Sequence, residues 1–148
     1  MASARLDDFK EDIARAKDII GLGQAIGRMT NGRVDASDLY RAALVQGVAA
    51  WDRYVHGIVL DRAVDILVGR RLAGGASKIG LPLASVAAIL TEPDAALREL
   101  GARSSVAQRL VKETFQQPDD VAAALALVGG KSRLEFGFLR TRIPQKYR

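Results

Sequence analysis

Apolar residues recur every three or four positions in the first part of the chain. The charged residues there fall largely on the other side of the same helical projection, which is the pattern of an amphipathic helix over residues 4–22. The glycines of the segment 21–27 are predicted to end this helix or to loosen it. The apolar stripe consists of Leu6, Phe9, Ile13, Ala16 and Ile20.

A second and longer helical pattern follows. Asp35 is predicted as its N-cap and Asp38 as an acid of its first turn, and the pattern runs to about residue 70. Because some 35 residues is long for a globular helix, we expect a break or a bend near Gly57. The repeating positions are Leu44, Val48, Trp51, Val55, Ile58 and Arg62.

The rest of the chain reads as a loop and then shorter helices. Glycines and Pro82 predict a loop over residues 71–82, followed by helices at about 83–91, 94–101, 104–115 and 119–128. Pro93 and Pro118 are predicted in first helical turns. Residues 134–139 are compatible with a short strand or with one helical turn. The sequence therefore predicts an all-α, single-domain helical bundle with one long central helix, a helical domain over residues 1–130 and a C-terminal tail over 131–148.

Composition narrows the function classes. The chain has 148 residues, of which 49% are hydrophobic, and this suits one domain with a substantial core. No apolar run is long enough to span a membrane, and the first residues lack the apolar stretch of a signal peptide. Zero cysteines exclude disulfides and thiolate zinc sites. We expect a cytoplasmic protein with no metal, no cofactor and no membrane partner.

The net charge of +5 is concentrated in the tail, where six basic residues face the single acid Glu135. A cationic segment of this kind suits a phosphate backbone or an acidic membrane, and the alternative is a solvated end that keeps the protein soluble. The candidate nucleic-acid-binding residues are Arg140, Arg142, Lys146 and Arg148.

Candidate chemistry centres on the only histidine, His56, in the long helix. Asp52 lies one turn before it, where a carboxylate can hold one ring nitrogen, and Arg41 falls within about 60° of both in helical projection. Arg53 can share the same edge. A carboxylate, an imidazole and one or two guanidiniums suit metal-independent phosphoryl transfer, in which the imidazole moves a proton and arginine stabilises charge on phosphorus. The alternative is a histidine at the helix edge whose ion pair only stabilises the fold.

Two segments resemble a known family. The segment Arg41-Ala-Ala-Leu-Val…Ala-Ala-Trp-Asp-Arg-Tyr-Val-His56 is similar to the long second helix of bacterial HEPN-superfamily proteins of the RiboL-PSP-HEPN type. The segment Glu113-Thr-Phe-Gln-Gln-Pro-Asp-Asp-Val-Ala-Ala-Ala-Leu125 resembles that family's F-Q-x-P-D-x-I-A stretch. The resemblance implies a helical bundle that commonly dimerises, and many members are metal-independent endoribonucleases of toxin–antitoxin and phage-defence systems with an R-x4–6-H signature.

The chain departs from the family at that signature. With four to six residues in between, the arginine of a signature that ends at His56 would fall at positions 49–51, which hold Ala49, Ala50 and Trp51, and no histidine follows Phe115. The resemblance implies a homodimeric protein of toxin or defence type that acts on RNA and has a cognate antitoxin or another protein partner. If it cleaves RNA, we assign proton transfer to His56, phosphate stabilisation to Arg53 or Arg41, orientation of the imidazole to Asp52, and RNA binding to the tail.

Two non-catalytic alternatives remain open. The first is a catalytically degenerate HEPN-like module that binds a protein partner or nucleic acid without cleavage. The second is a helical dimer whose role is only structural. The missing signature motivates the first of them.

Overall fold

The described part of the chain is built from α-helices. A computed structural model describes residues 2–73 and 80–127, and within these ranges there are five helices and no strand, so the predicted all-α class is confirmed. None of the described helices combines the length and the apolar character needed to cross a bilayer. The helices are α1 (Ala2–Met29), α2 (Ser37–Leu67), α3 (Leu83–Thr91), α4 (Ala95–Leu110) and α5 (Pro118–Leu127).

The first helix is longer than its pattern predicted. It continues through its glycines to Met29 and ends at a turn in which Asn31 and Gly32 adopt positive φ angles of 50° and 75°. The interior glycine Gly23 has a packing role, because a Cβ there would lie 3.0 Å from Cε1 of Tyr40 on α2. The predicted end near residue 22 was therefore wrong: glycine allows a close helix approach here instead of ending the helix.

The second helix begins at Ser37, two residues after the Asp35 that was predicted as its N-cap, and ends at Leu67, about three residues before its predicted end. The Asp35 carboxylate accepts hydrogen bonds from the Ser37 N–H at 2.9 Å and the Ser37 hydroxyl at 2.5 Å, and these bonds hold the pKa of Asp35 below its ordinary value. The expected break near Gly57 is absent, since α2 is continuous from Ser37 to Leu67. Gly57 is buried, and the Arg5 side chain occupies the space that a Cβ would need.

The chain divides into two compact units, and the division falls within α2. The first unit comprises Met1–Ile58 and the short segment Thr114–Gln116. In it, Phe9 of α1 stacks on Tyr54 with ring centroids 5.0 Å apart and meets the edge of Trp51 at 6.1 Å. The buried hydrophobic residues of Met1–Ile58 are mostly alanines, and small side chains allow close packing. They are Ala16, Ala36, Ala43, Ala50 and Val55.

The second unit comprises Val59–Glu113 and the described residues from Gln117 onward. One cluster of its core is formed by Val64 of α2, Ile89 of α3 and Ala102 of α4, all of them buried. Partly buried apolar residues complete it, namely Leu60, Leu67 and Val68. This cluster is aliphatic, and the unit buries further aliphatic residues outside it, among them Val106 and Val121.

The helix α4 replaces two predicted helices. The pattern predicted a boundary between residues 101 and 104, but α4 runs unbroken from Ala95 to Leu110 with Gly101 in its interior. Its N-cap is Asp94, whose carboxylate accepts hydrogen bonds from the backbone N–H groups of Ala96 and Leu97. Pro93 therefore precedes the cap instead of lying in the first turn, whereas Pro118 is the first residue of α5 as predicted.

Candidate functional site

The side chains of Asp52 and His56 form the pair that their spacing predicted. The His56 Nδ1 atom lies 3.2 Å from the Asp52 Oδ2 atom and 3.0 Å from the Asp52 backbone oxygen. The two side chains are 26% and 27% exposed, so the pair lies at the edge of the fold and is partly open to solvent. Asp52 therefore fixes one edge of the imidazole ring.

The same carboxylate also binds a distant part of the chain. The backbone N–H of Phe115 donates to the Asp52 Oδ1 atom at 2.7 Å, and the rings of Phe115 and His56 lie 4.5 Å apart at an angle of 55°. Phe115 is buried. Asp52 thus uses one oxygen for the imidazole and the other for the backbone of Thr114–Gln116. We call this arrangement of Asp52, His56 and Phe115 the Asp52 clamp.

The arginines that were proposed to act with His56 contact other residues. Arg53 donates to the Asp12 carboxylate of α1 at 2.8 Å, and Arg41 donates to Asp38 at 3.1 Å. Arg41 also lies fifteen residues before His56, which is about 22 Å along an α-helix. Of the four proposed catalytic residues, the structure brings together Asp52 and His56, and it directs Arg53 and Arg41 elsewhere.

Asp12 is a buried charged residue that the sequence analysis did not single out. It is 6% exposed, and it accepts from Arg53 and lies 3.6 Å from Arg15. A buried carboxylate needs such partners, because burying an unpaired charge is costly. The signal in the sequence is its place within the apolar stripe, three residues after Phe9 and four before Ala16.

Two other kinds of ligand site were considered from the sequence, a metal site and an RNA-binding site. The described ranges contain no group of three or more acidic or histidine side chains placed to bind a metal ion. The proposed RNA-binding residues lie outside the described residues. They are Arg140, Arg142, Lys146 and Arg148.

An open apolar groove lies between α1 and α2 in the first unit. Its volume is about 460 Å³. Several of its apolar side chains face solvent: Leu44 is 68% exposed and Val48 is 39% exposed, although both belong to the repeating apolar positions of α2. We call it the α1–α2 groove, and its lining residues are Phe9, Ile13, Ile20, Tyr40, Ala43, Leu44, Gly47, Val48, Trp51 and Gln116.

Comparison of the chain with protein-family models, with curated proteins and with solved structures finds no match. The HEPN resemblance of the two segments therefore stays a hypothesis. The Asp52 clamp and the α1–α2 groove are the two structural features that bear on function.

Proposed function

We propose that this chain is a non-catalytic, HEPN-like helical module that binds one helix of a partner protein in the α1–α2 groove. The observation that carries the proposal is the exposure of a continuous apolar surface in a concave site between two long helices. A groove of this shape suits the apolar face of an amphipathic helix, which is a recurrent way for proteins to recognise each other. Leu44 and Val48 are the side chains that such a helix would cover.

The Asp52 clamp supports a structural role for the residues that were candidates for catalysis. The Asp52 carboxylate already binds the backbone of Phe115 and the His56 ring, and Phe115 packs on that ring. An imidazole that packs against a buried ring and a carboxylate that binds a buried backbone N–H stabilise the fold without further chemistry. The binding module thus accounts for both features at once.

The clamp also supports the HEPN-like part of the proposal. The two segments that resemble the family, residues 41–56 and 113–125, are far apart in the chain. The hydrogen bond from Phe115 to Asp52 joins one segment to the other. A pair of motifs that contact each other is what a shared structural role would require.

Selection of helical peptides tests the groove. A display pool of amphipathic peptides without tryptophan is selected on the wild-type chain and on Leu44→Ala. The matched control is Leu90→Ala on α3, because Leu90 is also 68% exposed and does not line the groove. We expect peptides that bind the wild type and Leu90→Ala but not Leu44→Ala. Equal enrichment on all three proteins would refute the groove as the binding site.

A metal-independent endoribonuclease is the second candidate, and the partly exposed Asp52–His56 pair favours it. In this candidate His56 transfers the proton, Asp52 orients the ring, and Arg53 or Arg41 leaves its carboxylate partner to stabilise the phosphate. Two copies would pair through α2, the basic tail would hold RNA, and the protein would be a cytoplasmic toxin or defence component with a cognate antitoxin.

Incubation of a mixed RNA pool with purified protein in EDTA distinguishes the two candidates. His56→Gln, which keeps a polar side chain beside Asp52, is tested alongside the wild type, and circular dichroism verifies that both are folded. Cleavage by the wild type that disappears in the variant would establish the nuclease. The binding module predicts that neither protein cleaves RNA.

A further inference from the structure

We infer that the Asp52 clamp positions Gln116 in the wall of the α1–α2 groove, so that closure of the clamp and binding in the groove are coupled. The inference rests on the proposed function and concerns the regulation of the same site. Of the ten residues that line the groove, nine belong to α1 or α2, and Gln116 is the exception. The place of Gln116 in the groove therefore depends on what holds the segment Thr114–Gln116.

The connection between α4 and α5 is attached to the first unit at one buried residue. Phe115 is 5% exposed, whereas its neighbours from Val111 to Gln117 are exposed. Within the described ranges, the hydrogen bond that the Phe115 N–H donates to Asp52 is the only one made by Thr114–Gln116. An exposed, irregular segment with a single buried anchor opens locally at low cost. The clamp is thus the element that keeps this segment in place.

The clamp and the groove adjoin each other at two points of the chain. Asp52 follows the lining residue Trp51 on α2, and Phe115 precedes the lining residue Gln116. Release of the Phe115 N–H from Asp52 therefore frees Gln116 to leave the groove. The side-chain amide of Gln116 offers two donors and an acceptor beside mostly apolar walls, and such isolated polar groups fix the orientation of a ligand.

A coupling of this kind acts in both directions. If the closed clamp strengthens the binding of a helix by some factor, the bound helix must stabilise the closed clamp by the same factor. Couplings between sites typically amount to about 5–150-fold in affinity. Because Gln116 is one of ten lining residues, we expect a value near the lower end, about fivefold.

The first measurement is the affinity of a synthetic peptide that was selected on the full chain in a Leu44-dependent way. The peptide lacks tryptophan, so the fluorescence of Trp51, the single tryptophan, reports its binding. Asp52→Ala should weaken the binding by about fivefold, and Asp52→Asn should weaken it less. The control is Val64→Ala, which destabilises the second unit at a fully buried position and should bind like the wild type. Phe115→Leu, which keeps an apolar anchor, takes the place of Asp52→Ala if circular dichroism shows that variant to be unfolded.

The second measurement is hydrogen exchange with and without saturating peptide. The peptide should slow exchange of the Phe115 amide at least by the factor by which Asp52→Ala weakens binding. The matched control is the Leu97 amide, which donates to the Asp94 carboxylate at 2.9 Å in the second unit and should exchange at an unchanged rate. A Phe115 amide that exchanges equally fast in both samples would refute the coupling.

The outcomes separate this inference from the proposed function. If the peptide binds in a Leu44-dependent way and with equal affinity to the wild type and Asp52→Ala, the groove stands and the coupling is refuted. If no Leu44-dependent peptide is found, the proposed function fails, and quenching of Trp51 fluorescence by acrylamide tests the positioning of Gln116 without a ligand.

In the quenching experiment Phe115→Leu should make Trp51 more accessible to acrylamide, because the weakened anchor lets Gln116 leave the groove wall that it shares with Trp51. The control is Gln117→Ala, because Gln117 is exposed and does not line the groove, and this variant should be quenched like the wild type. Equal quenching of Phe115→Leu and Gln117→Ala would refute the positioning role of the clamp.

Discussion

Replacing Asp52 by alanine should destabilise the fold far more than the removal of an ordinary surface carboxylate. The substitution removes the Asp52 Oδ1 atom, which accepts the hydrogen bond from the Phe115 N–H at 2.7 Å. It also removes the Asp52 Oδ2 atom beside the His56 ring. Hydrogen bonds to charged groups contribute about 1.5–3 kcal/mol, and a buried donor left without an acceptor carries its own penalty. The Asp52 side chain is 27% exposed, so water can replace part of the lost hydrogen bonding. We therefore expect the free energy of unfolding to fall by about 2 kcal/mol.

Two measurements test this value. Thermal unfolding followed by circular dichroism should show a midpoint lower by about 4–8 °C, the shift expected for about 2 kcal/mol in a chain of this size. Hydrogen exchange should show that the Phe115 amide becomes about 30-fold less protected. Asp52→Asn keeps one acceptor oxygen and loses the charge, so its effect should be about half as large.

The control is Glu113→Ala, two residues before Phe115. It removes only an exposed ion pair with Arg109 within the same part of the chain. Such pairs contribute little, so this variant should unfold close to the wild type. If Asp52→Ala were as stable as Glu113→Ala and its Phe115 amide equally protected, the clamp would not hold Thr114–Gln116 and the structural explanation of His56 would fail.

Three further predictions concern packing and pH. In an Arg5→Ala background, Gly57→Ala should raise the free energy of unfolding by about 0.5–1 kcal/mol. The gain should be smaller in the wild type, because the Arg5 side chain occupies the space of the new methyl group. Urea unfolding of the wild type, the two single variants and the double variant measures the difference. Val64→Ala should cost about 2 kcal/mol, since it removes two methyl groups from a fully buried position, and the same assay would show a negligible loss if this core were loose. Arg70, 2.8 Å from Glu99, lowers the pKa of that carboxyl below its ordinary 4.5. This pair therefore stabilises the fold above about pH 4.5, and the stabilisation is lost as the pH falls through the lowered pKa of Glu99. Between pH 5 and pH 3, the melting temperature of Arg70→Met should therefore fall less than that of the wild type. Equal falls would contradict the pairing.

The helical class and most helix positions follow from the sequence because they depend on local information. Apolar periodicity placed α3 and α5, and the polar residues around Asp35 placed the start of α2. Most of the errors in helix bounds concern glycines. Gly23 and Gly57 weaken a helix locally, but in the folded chain each makes room for a side chain from elsewhere, Tyr40 and Arg5 respectively, and no local pattern reveals that.

In the candidate site, contacts within one helix could be predicted from the sequence, and contacts between helices could not. The i,i+4 spacing of Asp52 and His56 is enough to predict their contact, because both lie on one helix. The pairing of Arg53 with Asp12 joins two helices and depends on how those helices pack. The apolar repeat of α2 likewise does not show which of its members are covered, so the exposure of Leu44 becomes visible only when α1 is in place.

The hydrogen bond that closes the clamp imposes an order on the growing chain. Residues Asp52 and Phe115 are separated by 63 positions, and ribosomes add roughly 5–20 residues per second. The part of the first unit up to Asp52 is thus synthesised roughly 3–13 s before the segment Thr114–Gln116. During that interval the Asp52 carboxylate and the His56 ring lack Phe115, so the first unit cannot yet form these contacts. The time at which Phe115 leaves the ribosome sets the earliest moment at which this unit reaches its final stability.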